Sequence, residues 1–164
     1  MKKFAQIILL FLVLTVVSVF AANLKNESLG GLKLGVSEKA VIAKYGKPEA
    51  VEGGEEGEIR TYKYPSRGME FQIWFVDGKG DLRQIRAYGD SKAKTSRGVG
   101  IGSSRKHVEA AYGRPRNKGD EVENFELKRE WALYSTGEDA CPYQMHIIYE
   151  NDKVVEISLT FDCS

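Results

Sequence analysis

Hydrophobic positions in this chain follow two rhythms. Around residues 31–48, and again around 98–115, they are spaced as on one face of a short helix. Between and after those stretches they alternate, as on strands. In the first helical stretch Leu32 and Leu34 lead to Gly35, Ser37 stands where an N-cap belongs, and Val41, Ile42 and Tyr45 form the apolar face. Gly46 and Pro48 then end the helix. The second stretch repeats the plan: Ser104 caps a helix carrying Val108, Ala111 and Tyr112, and Gly113 and Pro115 stop it. Seven identities (Gly, Gly, Ser, Val, Tyr, Gly, Pro) fall at a constant offset of 67. Self-similarity at a fixed period marks a repeated supersecondary unit.

The alternating stretches read as strands. Ile59–Tyr64 alternates. Met69–Val76 places Met69, Phe71, Ile73 and Phe75 on one face, and Leu82–Tyr88 sets Ile85 and Ala87 against Gln84, Arg86 and Tyr88. Asp77-Gly78-Lys79-Gly80 is a hairpin turn of the Asp-Gly kind. In the second half Phe125, Leu127, Arg129, Trp131 and Leu133 alternate with Glu126, Lys128, Glu130, Ala132 and Tyr134. Met145, Ile147 and Tyr149 match Phe71, Ile73 and Phe75 at an offset of 74. Val155, Ile157, Leu159 and Phe161 are expected to be the buried face of the last strand, after a turn at Asn151-Asp152. The predicted fold is α+β, with two tandem repeats. Each is a short helix packed on one face of a three- to four-stranded antiparallel sheet. The units span 31–88 and 98–164, joined by a polar linker at 89–97. The acidic, glycine-rich stretch 49–58 is expected to be a short edge strand and a loop.

The N-terminus narrows the compartment. Lys2 and Lys3 precede an apolar run from Phe4 to Phe20, and Ala21 and Ala22 follow. This is the three-part form of a secretory signal peptide at 1–21, with 22–30 as a disordered lead. Cleavage would remove two Lys from a chain with 24 basic and 23 acidic residues, leaving a net charge of −1. That balance carries no nucleic-acid footprint and no polybasic membrane patch. The expectation is an exported protein, periplasmic or secreted, with no stable membrane anchor after cleavage. In that compartment the two cysteines, Cys141 and Cys163, are expected to pair. The hairpin turning at Asn151-Asp152 brings them to one level, and a loop of this length implies about 3 kcal/mol in the chain-entropy model.

Catalytic chemistry finds no pattern here. His107 and His146 are the two histidines, and no further metal ligands stand at ligand spacing. The glycines before each helix suggest a phosphate loop, but neither copy gives GxGxxG or GxxxxGK[ST]. No cofactor or metal is expected, and the chain reads as non-enzymatic. The uncovered sheet face is more informative. In the first unit it is expected to collect Arg60, Tyr62, Tyr64, Gln72, Trp74, Gln84, Arg86 and Tyr88. Of these Arg60, Tyr62, Tyr64, Trp74, Arg86 and Tyr88 are candidate partner-binding residues, because aromatic and Arg side chains dominate interface hot spots. The corresponding face of the second unit is expected to hold Glu126, Lys128, Glu130, Tyr134, His146, Ile148, Glu156, Ser158 and Thr160. The alternative is that the first unit's aromatic face is the contact between the two units.

The doubled unit, with Gly-x-x-x-Gly-x-Ser, Val, Tyr-Gly-x-Pro, an aromatic strand and an Asp-Gly-Lys turn, resembles the superfamily of beta-lactamase inhibitory protein and the BamE (SmpA/OmlA) outer-membrane assembly lipoproteins. The resemblance covers 31–88 and 98–162. It implies two tandem helix-plus-sheet units that bind a protein partner on an aromatic sheet face. Two features depart from it. Only the second unit carries cysteines, whereas the inhibitor has a disulfide in each, and no cysteine follows the apolar run to serve as a lipoprotein anchor. The function expected is an exported, inhibitor-like protein-binding module engaging another protein. The alternatives are a periplasmic cell-envelope assembly factor and an enzyme with an unrecognised site.

Overall fold

A computed structural model describes residues 24–54, 59–120, 129–136 and 141–161. The signal-peptide reading, Phe125, Glu126, Leu127, Lys128 and Cys163 lie outside those residues. Eight strands form one antiparallel sheet: β1 (Ala50–Glu52), β2 (Ile59–Tyr64), β3 (Met69–Val76), β4 (Lys79–Tyr88), β5 (Asn117–Asp120), β6 (Arg129–Ser135), β7 (Tyr143–Glu150) and β8 (Lys153–Phe161). Their order across the sheet is β1-β2-β3-β4-β8-β7-β6-β5. Two-residue turns close the β3–β4 and β7–β8 hairpins. The left-handed backbone of Asp77 (φ 50°) and Gly78 (φ 74°), and of Asn151 (φ 50°) and Asp152 (φ 60°), is what such tight turns require.

This single sheet overturns the expectation of two tandem helix-on-sheet units. β4 and β8 pair directly, from Gln84 with Thr160 to Tyr88 with Glu156. An unpaired last strand in each half would leave a row of open N–H and C=O groups, and joining the two strands satisfies both rows. The core is shared as a result. One register row runs Tyr62, Phe71, Ile85, Leu159, Met145, Tyr134 across six strands, and all six residues are buried.

Both helices lie on the face of that row: α1 (Glu38–Tyr45) over the first half and α2 (Arg105–Tyr112) over the second. Val41 from α1, and Val108 and Tyr112 from α2, reach the core. Ser104 caps α2, its hydroxyl accepting from the His107 N–H at 3.2 Å. Ser37 has the extended backbone of a cap but makes no side-chain cap bond. Gly46 and Gly113 end the helices at φ 82° and 77°, donating back to Ile42 and Glu109 at 2.8 Å each.

Two sequence expectations fail within this layer. The last strand was expected to turn Val155 inward. A bulge at Ile148/Tyr149 shifts the register, so Val154 is buried in its place. β4 carries a matching irregularity opposite Gln72/Ile73, which lets Leu82 and Ile85 both face the core although three residues apart. The stretch 22–30, expected as a disordered lead, is structured from Leu24 onward. It forms a 3-10 turn (Leu24–Asn26) and buries Leu24 and Leu29. Glu27 anchors it: its carboxylate accepts from the N–H groups of Ser28 (2.9 Å) and Ser96 (2.7 Å) and from the Tyr112 hydroxyl (2.9 Å), with the Arg97 Nε at 3.6 Å.

Candidate functional site

The opposite face of the sheet is covered by no element of the described residues. Alternation decides what it presents. With Phe71 and Ile73 buried against α1, Glu70, Gln72, Trp74 and Val76 point away. The register carries this parity outward, to Ile59 and Lys63 on β2, Arg86 and Tyr88 on β4, Glu156 and Ser158 on β8, His146 and Ile148 on β7, and Trp131 and Leu133 on β6.

The six candidate residues divide between the two faces. Trp74, Arg86 and Tyr88 stand on the uncovered face as expected. Tyr62 and Tyr64 do not: they pair with Phe71 and Met69 and are 5% and 1% exposed. Their hydroxyls explain why. Tyr62 donates to the Glu38 carboxylate in the first turn of α1. Tyr64 donates to the Gly46 carbonyl at the other end, at 2.8 Å. The two phenols therefore clasp the helix at both termini, and the Tyr64 ring packs edge-on to Phe71 with centroids 5.5 Å apart. Burial is the first cause raising both hydroxyls above the ordinary tyrosine value. Arg60 shares their parity, and its guanidinium lies 4.3 Å from the centre of the Phe75 ring. These three are helix-side residues.

The same reversal affects β6. Tyr134 was expected on the open face with Glu130. It is buried beside Tyr112, with ring centroids 5.7 Å apart. Glu130 pairs with Arg105 at the start of α2 at 2.5 Å. Trp131 and Leu133 take the open positions instead. Trp131 lies across Gly119 of β5, where an added Cβ would stand 2.9 Å from the indole nitrogen. Its ring is 5.7 Å from that of His146. Sequence reasoning missed Trp131 because its parity matches Phe125 and Leu127, which implied an inward face.

The uncovered face thus has an aromatic corner at each end of a diagonal and charge between them. At one corner Trp74 pairs with Ile59 across the strands, and Val76 is two residues further along β3. These three are 38%, 40% and 58% exposed. The Arg83 guanidinium stands 5.7 Å from the Trp74 ring. At the centre Arg86 makes a bidentate bond to Glu156 at 2.8 and 2.7 Å and reaches Glu70 at 3.1 Å. The hydrogen bonds from Glu156 are the first cause holding this guanidinium above its ordinary pKa. Arg86 also lies 5.2 Å from the Tyr88 ring. Towards the edges, Lys63 meets Glu52 at 2.6 Å and Arg129 meets Glu150 at 3.6 Å. Lys63, Arg86 and Arg129 are therefore paired with carboxylates, and the most exposed apolar surface of the face is the Ile59–Trp74–Val76 corner.

His107 and His146 lie on opposite sides of the sheet, and no group of three metal-ligating side chains occurs among the described residues. No helix of those residues is long and apolar enough to cross a membrane. No family model matches the chain, and no curated protein matches it. Two solved structures are similar in fold. One is a DUF4309 family protein (YjgB) from Bacillus subtilis subsp. subtilis str. 168, 16% identical, covering 80% of this chain and 83% of that one with a TM-score of 0.49. The other is an extracellular protein containing a SCP domain from Bacillus anthracis str. Ames, 11% identical, covering 79% of this chain with a TM-score of 0.50. This chain spans 44% of that protein. Neither match is to a beta-lactamase inhibitory protein or an assembly lipoprotein.

Proposed function

We propose that this chain is an exported, non-enzymatic protein-binding module that engages another protein through the uncovered sheet face, with Trp74 as the anchor. The observation that carries the reading is the Ile59–Trp74–Val76 corner: three large apolar side chains, contiguous on one face, each more than a third exposed. Isolated exposed apolar residues are ordinary, whereas a contiguous group on a face that none of the described elements covers is a mark of an interface. Trp and Arg are the residue types that anchor such interfaces, and here Arg83 stands beside Trp74. The paired charges around Arg86 suit a polar rim that sets orientation. Export is supported by the signal-like N-terminus and by the extracellular description of the Bacillus anthracis protein.

The test begins with a photo-crosslinking amino acid at Val76 and, as a control, at the exposed Lys106 on α2, in the exporting host. A partner captured from Val76 and not from Lys106 is then titrated against the parent protein and Trp74→Ala. Loss of a central aromatic anchor costs about 2 kcal/mol or more, roughly a thirtyfold rise in Kd, while the thermal transition stays cooperative. Equal capture from both positions would falsify the assignment of the face. A Trp74→Ala protein that no longer folds would show Trp74 to be a core residue instead.

A further inference from the structure

On the helix side, away from the proposed docking face, the segments 89–97 and 30–31, the C-terminal end of α1 and the 3-10 turn Pro65–Arg67 enclose a cleft of about 780 Å³. Its charge is one-sided. Lys44, Arg67, Lys92 and Lys94 line it, against the single carboxylate of Asp90. None of these cations has an ion pair among the described residues, whereas Lys63, Arg86 and Arg129 on the other face each meet a carboxylate. Arg67 is held in place by the Tyr45 ring, 5.6 Å away, and not by an acid. Composition does not explain the imbalance, because the whole chain carries a net charge of only +1.

Four like charges around one concavity repel one another, and the low-dielectric wall concentrates their field within it. An anion relieves that repulsion. The walls also say what kind of anion. The half-buried Tyr45 ring contributes apolar surface to the cleft, with the buried Met69 behind it. Its volume falls in the range of sites for small organic molecules, far more than one inorganic ion fills. The Tyr45 hydroxyl donates to the Gly30 carbonyl at 2.9 Å, and the Gly30 N–H donates to the Lys94 carbonyl at 3.0 Å. These bonds tie three of the walls into one frame. We propose that this cleft binds a small organic polyanion, bearing two or more phosphate or carboxylate groups held by Lys44, Arg67, Lys92 and Lys94, with an apolar portion laid over Tyr45.

The test is an NMR titration of the full exported protein with three probes: inorganic pyrophosphate, 1-naphthyl phosphate and citrate, at low salt. The expected result is saturable shifts of the Gly30, Gly31, Lys92 and Lys94 amides, with pyrophosphate or citrate, which carry several anionic groups, binding more tightly than 1-naphthyl phosphate, which carries one. A response to the two phosphates alone, or to citrate alone, identifies the anionic group. Lys92→Ala with Lys94→Ala should raise Kd about tenfold, the equivalent of roughly 1.4 kcal/mol. Arg67→Ala should do so with a preserved fold, since its side chain is exposed, and Trp74→Ala should change nothing. The proposal is overturned if no probe moves these amides at millimolar concentration. It is equally overturned if the shifts spread over all surface lysines, or if the double variant binds as tightly as the parent.

Discussion

Glu27 offers the sharpest test of how the helix-side layer is held together. In the Glu27→Ala protein the Ser28 N–H and the Tyr112 hydroxyl lose their acceptor together, and the Ser96 N–H keeps only the Ser28 carbonyl at 3.1 Å. A hydrogen bond to a charged group contributes about 1.5–3 kcal/mol, so the three bonds would suggest a large loss. Two effects reduce it: the parent bears the desolvation of a buried carboxylate, and a shortened side chain admits water to some stranded donors. Removing one partner from a buried charge network typically costs about 3–5 kcal/mol, and the lower end applies here. At about 3 °C per kcal/mol for a domain of this size, the thermal midpoint should fall by roughly 10 °C. Glu27→Gln keeps one acceptor oxygen and should lose about half as much. A double-mutant cycle with Tyr112→Phe should show a coupling of about 1–2 kcal/mol. Calorimetry gives the midpoints, and hydrogen exchange should show the Ser28 amide losing protection, more than the Ser96 amide, which keeps the Ser28 carbonyl. A Glu27→Ala midpoint within about 2 °C of the parent would show that the segment from Leu24 is held by apolar burial alone, and that the carboxylate is incidental.

Two further predictions follow from the core and the C-terminal hairpin. Burial is the first cause raising the Tyr112, Tyr134 and Tyr149 hydroxyls, Tyr134 to about 12. The folded state therefore keeps protons that the unfolded chain releases near pH 10. Their contribution is complete below that pH and is lost as pH rises through the folded values. The urea midpoint should be level from pH 7 to about 9 and fall above about 10, with the phenolate absorbance of these three tyrosines appearing as the protein unfolds; a midpoint unchanged at pH 11 contradicts this. In the hairpin the β7–β8 register ends at Tyr143 with Phe161, two residues from each cysteine. Mass spectrometry of the oxidised, exported protein without reductant should find Cys141 bonded to Cys163, and reduction should cost about 3 kcal/mol; two alkylatable thiols would refute the bond.

Local pattern made the elements legible. The bounds of β2, β3 and β7 follow directly from alternation and from Asp77-Gly78 and Asn151-Asp152, because turn chemistry and strand period are short-range properties. Alternation shows which residues share a face, but not which face is buried. In β2 the choice lay between Tyr62 with Tyr64 and Thr61 with Lys63, and tyrosine suits either side. Only the positions of Glu38 and Gly46, at the two ends of a helix elsewhere in the chain, settle it. Trp131 was hidden by the same ambiguity. The joined sheet left no local trace either, since the β4–β8 pairing is a property of two strand edges far apart in sequence. Nor could the cationic cleft be read, because its walls come from four separate segments.

The strand that joins the two halves of the sheet is also the last of the described strands to be made. β8 sits beside β4 at the centre of the strand order, and Arg86 meets Glu156 across 70 residues of chain. A nascent chain that ends before residue 153 has two half-sheets and an open β4 edge, with no partner for either. Pairing of this sequence separation closes large loops before it is rewarded, and such topologies fold slowly. During that interval the β4 edge of one molecule can accept the β8 strand of another, so crowding before release favours exchanged pairs. A chain threaded across a membrane in unfolded form escapes this hazard. Its C-terminal strand emerges last and finds its own β4 at a far higher effective concentration than any neighbour's.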